Sequence, residues 1–206
     1  GDYWKVWLDE GDGLTAYVES PYSGMSLRPD LYNAAGGRVL DGYGPIHDGR
    51  YEDSVFYGYT APASDWYYVA ISRYDGVSDE YRLHLTRTDA AIAQETDDNH
   101  SNYSTPDVLA YALSGNRRLS SVAGFLMGWD DQTQDHDRYA LGQLTAGDVV
   151  ELTARTPSGS TAAPLVGLYD ANWNLVADED GVPWDDHVRA TIPATGVYYV
   201  WINTWE

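Results

Sequence analysis

Three blocks of sequence recur in the same order along this chain, and a duplication sets the domain count before any local reading is made. Tyr3 to Val18 aligns with Tyr139 to Ala154 at an offset of 136, sharing Tyr3 with Tyr139, Leu8 with Leu144, Gly11-Asp12 with Gly147-Asp148 and Leu14 with Val150. Leu31-Tyr32-Asn33-Ala34 then aligns with Leu168-Tyr169-Asp170-Ala171 at an offset of 137. Pro62-Ala63 and Tyr67-Tyr68-Val69-Ala70-Ile71 align with Pro193-Ala194 and Tyr198-Tyr199-Val200-Trp201-Ile202 at an offset of 131. The chain therefore reads as two copies of one unit, 1–88 and 105–206, joined by a linker over 89–104.

Each block alternates apolar and polar residues, with Gly, Asp, Asn and Pro punctuating at short intervals, so the expected class is all-β, as two tandem jelly-roll-like β-sandwiches. Only Asp107 to Leu113 reads equally well as a helical turn or a strand. On the strand from Tyr198, residues Tyr198, Val200 and Ile202 share the core face, and Tyr199, Trp201, Asn203 and Trp205 share the other. By the repeat, Tyr67, Val69 and Ile71 are core, while Trp66, Tyr68 and Ala70 look outward. Trp4 and Trp7 fall on opposite faces of one strand. The copies differ at their ends. The first closes with a strand over Glu80 to Arg87 that the second lacks, and the second opens with an apolar strand over Arg118 to Gly128 that the first lacks. Open edges of this kind are normally covered, so the chain is expected to be a segment of something longer or a subunit completed by a neighbour's strand.

Composition narrows the function. Thirty-two acids against twelve Lys and Arg leave a formal charge of −20, which repels phosphate backbones and anionic headgroups, so neither nucleic-acid binding nor membrane insertion is expected. No apolar run approaches the roughly 20 residues of a membrane-spanning helix, and the first twenty residues lack the order of a secretory signal, so the chain reads as mature sequence. Eighteen Tyr and eight Trp can supply the core that the aliphatic count lacks, since each is able to bury roughly 150–250 Å². Catalysis is not expected: no G-x-S-x-G elbow or H-E-x-x-H pair is present, Gly42-Tyr43-Gly44 lacks a third glycine, and the five histidines are scattered.

The acidic Glu95 to Asn99 stretch, Asp135-His136-Asp137-Arg138-Tyr139, Leu144-Thr145-Ala146-Gly147-Asp148, Leu168-Tyr169-Asp170 and Ile192-Pro193-Ala194-Thr195-Gly196-Val197-Tyr198-Tyr199-Val200 together resemble the bacterial pre-peptidase C-terminal domain family. The resemblance covers nearly all of 95–206 and, more loosely, 1–87. It implies a non-catalytic β-sandwich appended to secreted enzymes or surface proteins, in some cases holding calcium. The first copy departs from it, with Asp65-Trp66 in place of Gly196-Val197 and no opening strand.

Calcium prefers six to eight oxygen ligands, and two acidic clusters between strands are candidates to hold it: Asp130, Asp131, Asp135 and Asp137, and Asp178, Asp180, Asp185 and Asp186, with Glu179 among the latter. Neither follows an EF-hand spacing, and solvated loops or high-salt adaptation select the same residues. Tyr199, Trp201 and Trp205 on the outward face, with the loop residues Trp173 and Trp184 and the first copy's Trp66 and Tyr68, are candidates to bind a protein neighbour or a polysaccharide, interface being favoured over sugar. Asn99 and Asn102 open two adjacent glycosylation sequons in the linker, which suits an extracellular or cell-surface chain. The expected role is a non-catalytic interaction or structural module of a larger secreted or surface assembly. A carbohydrate-binding accessory module and a filament subunit completed by strand exchange are the alternatives.

Overall fold

The computed structural model describes residues 1–19, 26–42, 46–47, 52–75, 80–95, 106–124, 136–157, 160, 162–182 and 184–205. Every regular element among them is a strand, so the fold is all-β. The strands run β1 (Asp2–Leu8), β2 (Gly13–Glu19), β3 (Ser26–Tyr32), β4 (Arg38–Leu40), β5 (Ile46–His47), β6 (Glu52–Thr60), β7 (Asp65–Asp75), β8 (Arg82–Thr88) and β9 (Ala93–Gln94). They continue as β10 (Asp107–Val108), β11 (Ala112–Ser114), β12 (Arg117–Leu119), β13 (Val122–Ala123), β14 (Asp137–Leu144), β15 (Val149–Thr153), β16 (Ala163–Asp170), β17 (His187–Thr191) and β18 (Gly196–Trp205). Two compact units result: the first holds β1–β9 with β11–β13, and the second holds β10 with β14–β18.

In the first unit two four-stranded sheets, ordered β1-β7-β3-β4 and β5-β6-β2-β8, enclose Leu8, Leu27, Leu31, Tyr67, Val69 and Ile71 from one side and Leu14, Ala16, Val18 and Phe56 from the other. Tyr67, Val69 and Ile71 are buried as their alternation requires, and Trp66 faces out. Ala70 differs from expectation. It shares the outward face but is buried, because it lies between Tyr3 and Asp30 on the flanking strands and its single methyl is covered by larger neighbours.

The second unit repeats the first. Its sheet β10-β14-β18-β16 carries β14, β18 and β16 where the first has β1, β7 and β3, and its β15-β17 pair answers β2-β6. Both copies make one turn alike. Gly11 and Gly147 adopt φ of 89° and 93°, a left-handed conformation suited to glycine. The Asp12 and Asp148 carboxylates accept the amides of Asp9 (2.9 Å) and Thr145 (2.8 Å). Gly11 N donates to Ala61 O and Ala61 N to Asp12 O, as Gly147 N does to Ile192 O and Ile192 N to Asp148 O. The Tyr67 and Tyr198 hydroxyls each donate to the carbonyl four residues upstream, Ala63 and Ala194.

Three sequence expectations are revised. The alignment of Tyr3 with Tyr139 fails because a β-bulge between Ala140 and Gly142 gives β14 one extra residue. Trp4 opposes Val69 as Tyr139 opposes Val200, so Trp4 holds the Tyr139 place and Tyr3 the Arg138 place. The strand beside β14 is β10, and not Arg118 to Gly128. Arg117–Leu119 instead forms a hairpin with β11, and β13 runs parallel to β9 within the first unit; Phe125 to Gly128 lie outside the described residues. The span set down as linker from residue 89 begins as packed structure. Gln94 Oε1 accepts from Thr15 Oγ1 (2.6 Å), its Nε2 donates to Thr86 O and Thr88 Oγ1, and Glu95 is buried. Each unit also keeps an edge that its sister covers: β8 lies beside β2, but among the described residues β15 pairs with β17 alone, and β10 lies beside β14, but β1 pairs with β7 alone.

The shared turn yields two predictions. A Cβ at Gly147 meets open space, whereas one at Gly11 comes 2.8 Å from the Ala90 Cβ. Gly147→Ala therefore costs the left-handed backbone penalty alone, about 1–2 kcal/mol, and Gly11→Ala costs more, both read by denaturant unfolding. The Asp12 carboxyl is held below its ordinary 3.8, first by the Asp9 amide and then by Arg87, against the opposing effect of burial. A lowered folded-state value confers stability above pH 3.8 that is lost as pH falls through that value. Asp12→Asn flattens the pH–stability curve in that acid window, as unfolding measured from pH 2 to 6 will show.

Candidate functional site

The register places Tyr3, Lys5 and Trp7 of β1, Trp66, Tyr68 and Ala70 of β7, and Asp30 and Tyr32 of β3 on one outward face of the first unit. Alternation along three adjacent strands brings together rings that are far apart in sequence. Tyr3 is 66% exposed, Trp7 38% and Trp66 39%. Trp7 and Trp66 sit directly opposite with centroids 5.3 Å apart and planes at 75°, the edge-to-face arrangement that aromatic quadrupoles favour. Trp7 Nε1 donates to Asp9 Oδ1 (3.0 Å), which fixes that indole. Lys5, the sole lysine of the sequence, places Nζ 3.9 Å from the Trp66 ring centroid. Tyr3 and Tyr32 approach at 6.3 Å. At the rim Arg28 pairs with Asp30 (2.9 Å), and that hydrogen bond raises the guanidinium's pKa.

The corresponding face of the second unit is filled by its own loops. Tyr199 and Trp201 point to the expected side, but Trp173 stacks on Tyr199 at 5.2 Å and 19°, and Tyr169 contacts Trp173, Trp184 and Trp201. His136 meets Trp201 edge-on at 4.7 Å, and the Arg138 guanidinium lies 4.8 Å from Trp173 and 5.3 Å from Trp201. Burial lowers the Arg138 pKa and pushes the Tyr169 hydroxyl up to about 12. Trp173 and Trp184 are the non-glycine residues with left-handed backbone among the described residues, at φ 62° and 71°, a conformation uncommon for bulky side chains. Asp170 holds the first of these loops. Its carboxylate accepts the amides of Asn172 and Asn174 (both 2.8 Å) and the Asn174 side chain (2.9 Å), and these bonds lower its pKa. The sheet rings Tyr199 and Trp201 are thus half-buried against loop rings and Arg138, while Trp173 and Trp184 themselves stay 42% and 40% exposed.

The second acidic cluster does not converge. Asp178 Oδ1 accepts the amides of Arg189 and Asp180, Asp180 accepts that of Val182, and Asp185 accepts that of His187. Asp186 is exposed and contributes its carbonyl to Ala154 N. Glu179 binds Arg189 and Thr191. Short carboxylates of this kind cap their own turns, and among the described residues no three His, Asp or Glu side chains form a group that could hold a metal. Asp137 is buried in β14. Asp130, Asp131, Asp135, Asn99, Asn102 and the Trp205 side chain lie outside what the structure describes.

Of the aromatic candidates, Trp66 and Tyr68 belong to the open face, and Trp173, Trp184, Tyr199 and Trp201 to the filled one. Sequence reasoning missed Tyr3, Lys5, Trp7 and Tyr32 in the first group, although the alternation of Tyr3, Lys5 and Trp7 signals a shared face. It also missed Arg138 and Tyr169 in the second, whose proximity depends on the bulge and on the loop folds. No protein-family model matches the chain, and no curated protein sequence matches it.

The two faces predict responses to truncation that differ in size. Trp173→Ala removes a stacked ring and a cation–π partner and destabilises the protein by about 2 kcal/mol. Trp7→Ala removes one edge-to-face contact and costs under about 1 kcal/mol. Chemical denaturation of both variants measures the difference.

Proposed function

We propose that this chain is a non-catalytic extracellular interaction module that joins a protein neighbour through the open aromatic face of its first unit. The observation that carries the reading is that the first unit presents Tyr3, Trp7 and Trp66 exposed on the sheet itself, with no loop ring stacked on them among the described residues, whereas in the second unit Trp173, itself 42% exposed, stacks over the sheet residue Tyr199. Exposed rings gathered on one flat sheet and rimmed by Lys5 and the Arg28–Asp30 pair match the make-up of protein interfaces, where Trp, Tyr and Arg are enriched. Lys5 occupies space over the Trp66 ring that a stacking sugar would need, which favours a protein over a glycan. The extracellular setting is supported by the Asn99 and Asn102 sequons, the strongly acidic composition and the resemblance to the pre-peptidase C-terminal domain family.

Native material imaged by electron microscopy and sized by light scattering is expected to sit in an assembly larger than one chain. The double variant Trp7→Ser, Trp66→Ser is expected to lose its hold on that protein neighbour, with at least about 2 kcal/mol of weakening, roughly thirtyfold, whatever association copies of the chain make with one another. Retention on a polysaccharide panel that is lost in the same double variant would move the reading to a carbohydrate-binding module. Turnover of a substrate would overturn it.

A further inference from the structure

The edge of β1 bears on a different surface from the aromatic face. Trp4 points to the inner side of its sheet, opposite Val69, in the place that Tyr139 holds in the second unit. Tyr139 is 3% exposed and β14 carries β10 alongside it in parallel, paired at Tyr139 and Ala140. Trp4 is 48% exposed, and among the described residues no strand lies beyond β1. Trp4 lines a groove of about 580 Å³ with Glu80, Tyr81, Leu83 and Leu85. Its floor is tied together by Trp4 Nε1 donating to Tyr81 Oη (3.0 Å) and Tyr81 Oη donating to Asp2 Oδ2 (2.9 Å). The groove is thus apolar with two carboxylates at its margin, beside a strand edge whose sister is paired.

The chain also carries a matching projection. The β11–β12 hairpin pairs only with itself among the described residues, and all six of its strand residues are exposed, with Leu113 at 79% and Leu119 at 52%. From Tyr111 to Ser121 it has Arg117 and Arg118 and no acid, in a chain whose net charge is −20. Free strand edges recruit further strands through main-chain hydrogen bonds, and alternate side chains supply the specificity.

We propose that the hairpin of a second copy of this chain lays a strand along the open edge of β1, with Leu113 seated among Trp4, Leu83 and Leu85 and with Arg118, its cross-strand partner on the same face, turned toward Asp2 and Glu80. Because hairpin and groove are different surfaces, the contact is heterologous, and it either closes a ring of copies or propagates as a filament.

Sedimentation velocity of the full chain across a wide concentration range tests this, and the expected result is reversible self-association that weakens with added salt. Leu113→Asp, Trp4→Asp and the double variant Arg117→Glu, Arg118→Glu should each weaken association at least about tenfold, with circular dichroism confirming that all three fold; Leu113 and both arginines are exposed, so their replacement leaves the core untouched. Mixing Leu113→Asp with Trp4→Asp should restore a one-to-one heterodimer, since one variant keeps its groove and the other its hairpin. Trp7→Ser, Trp66→Ser should self-associate as wild type does, which separates this contact from the aromatic-face reading. A wild-type chain that stays monomeric, hairpin variants that associate undiminished, or a mixture that fails to pair would each overturn the proposal.

Discussion

The Gly-Asp turn is the constraint on which both units depend. A strand that leaves one sheet must reverse and enter the opposing sheet within about four residues, and in both units the turn that does so uses a left-handed residue, which glycine adopts without steric cost. Gly11 and Gly147 provide it, and the next residue's carboxylate turns back to satisfy an amide the reversal would otherwise orphan. The paired hydrogen bonds to Ala61 and to Ile192 then anchor the segment that leads into β7 or β18, the strand between the other two in each duplicated sheet trio. Ala61 and Ile192 are both 1% exposed, so one side of each clasp is fixed in the core even though Gly147 and Asp148 of the second unit are themselves exposed.

On that shared frame, two small local differences send the sister sheets to opposite ends. The bulge in β14 shifts its first half by one residue, which puts Arg138 in the place that Tyr3 holds in the first unit. Arg138 then lies against Trp173 and Trp201. The loop after β16, clamped by Asp170, brings Trp173 onto Tyr199, whereas after β3 the chain turns into β4 and leaves its face to solvent. Two sheets with the same strand order thus become one filled surface and one open surface.

The proposed function rests on which surfaces remain uncovered more than on any single reactive group. The acids that dominate the sequence are spread over turn caps, ion pairs and rims: Asp178, Asp180 and Asp185 hold their own loops, and Arg189 is shared between Glu151 and Glu179. The negative charge that remains keeps the surface repulsive toward like-charged partners, which lends weight to exposed cations such as Lys5 on the aromatic face and Arg117 with Arg118 on the hairpin.

The sequence by itself determined the all-β class, the duplicated strand blocks, and the core positions Tyr67, Val69, Tyr198 and Val200, because strand alternation and glycine turns are local properties readable from side-chain order. It also placed Trp66 and Tyr199 on the outward side of their strands. Only tertiary structure decided which outward rings are overlaid, since a sequence does not show that Trp173 folds back onto Tyr199 while Trp66 lies beside Lys5 and Trp7. Nor does it show that Gln94 ties the supposed linker to β2 and β8, that Arg117–Leu119 belongs to a projecting hairpin, or that one bulge moves Trp4 into the place of Tyr139. Those outcomes depend on pairing register and loop closure, which couple residues tens of positions apart, and a one-residue shift in register exchanges the two faces of a strand.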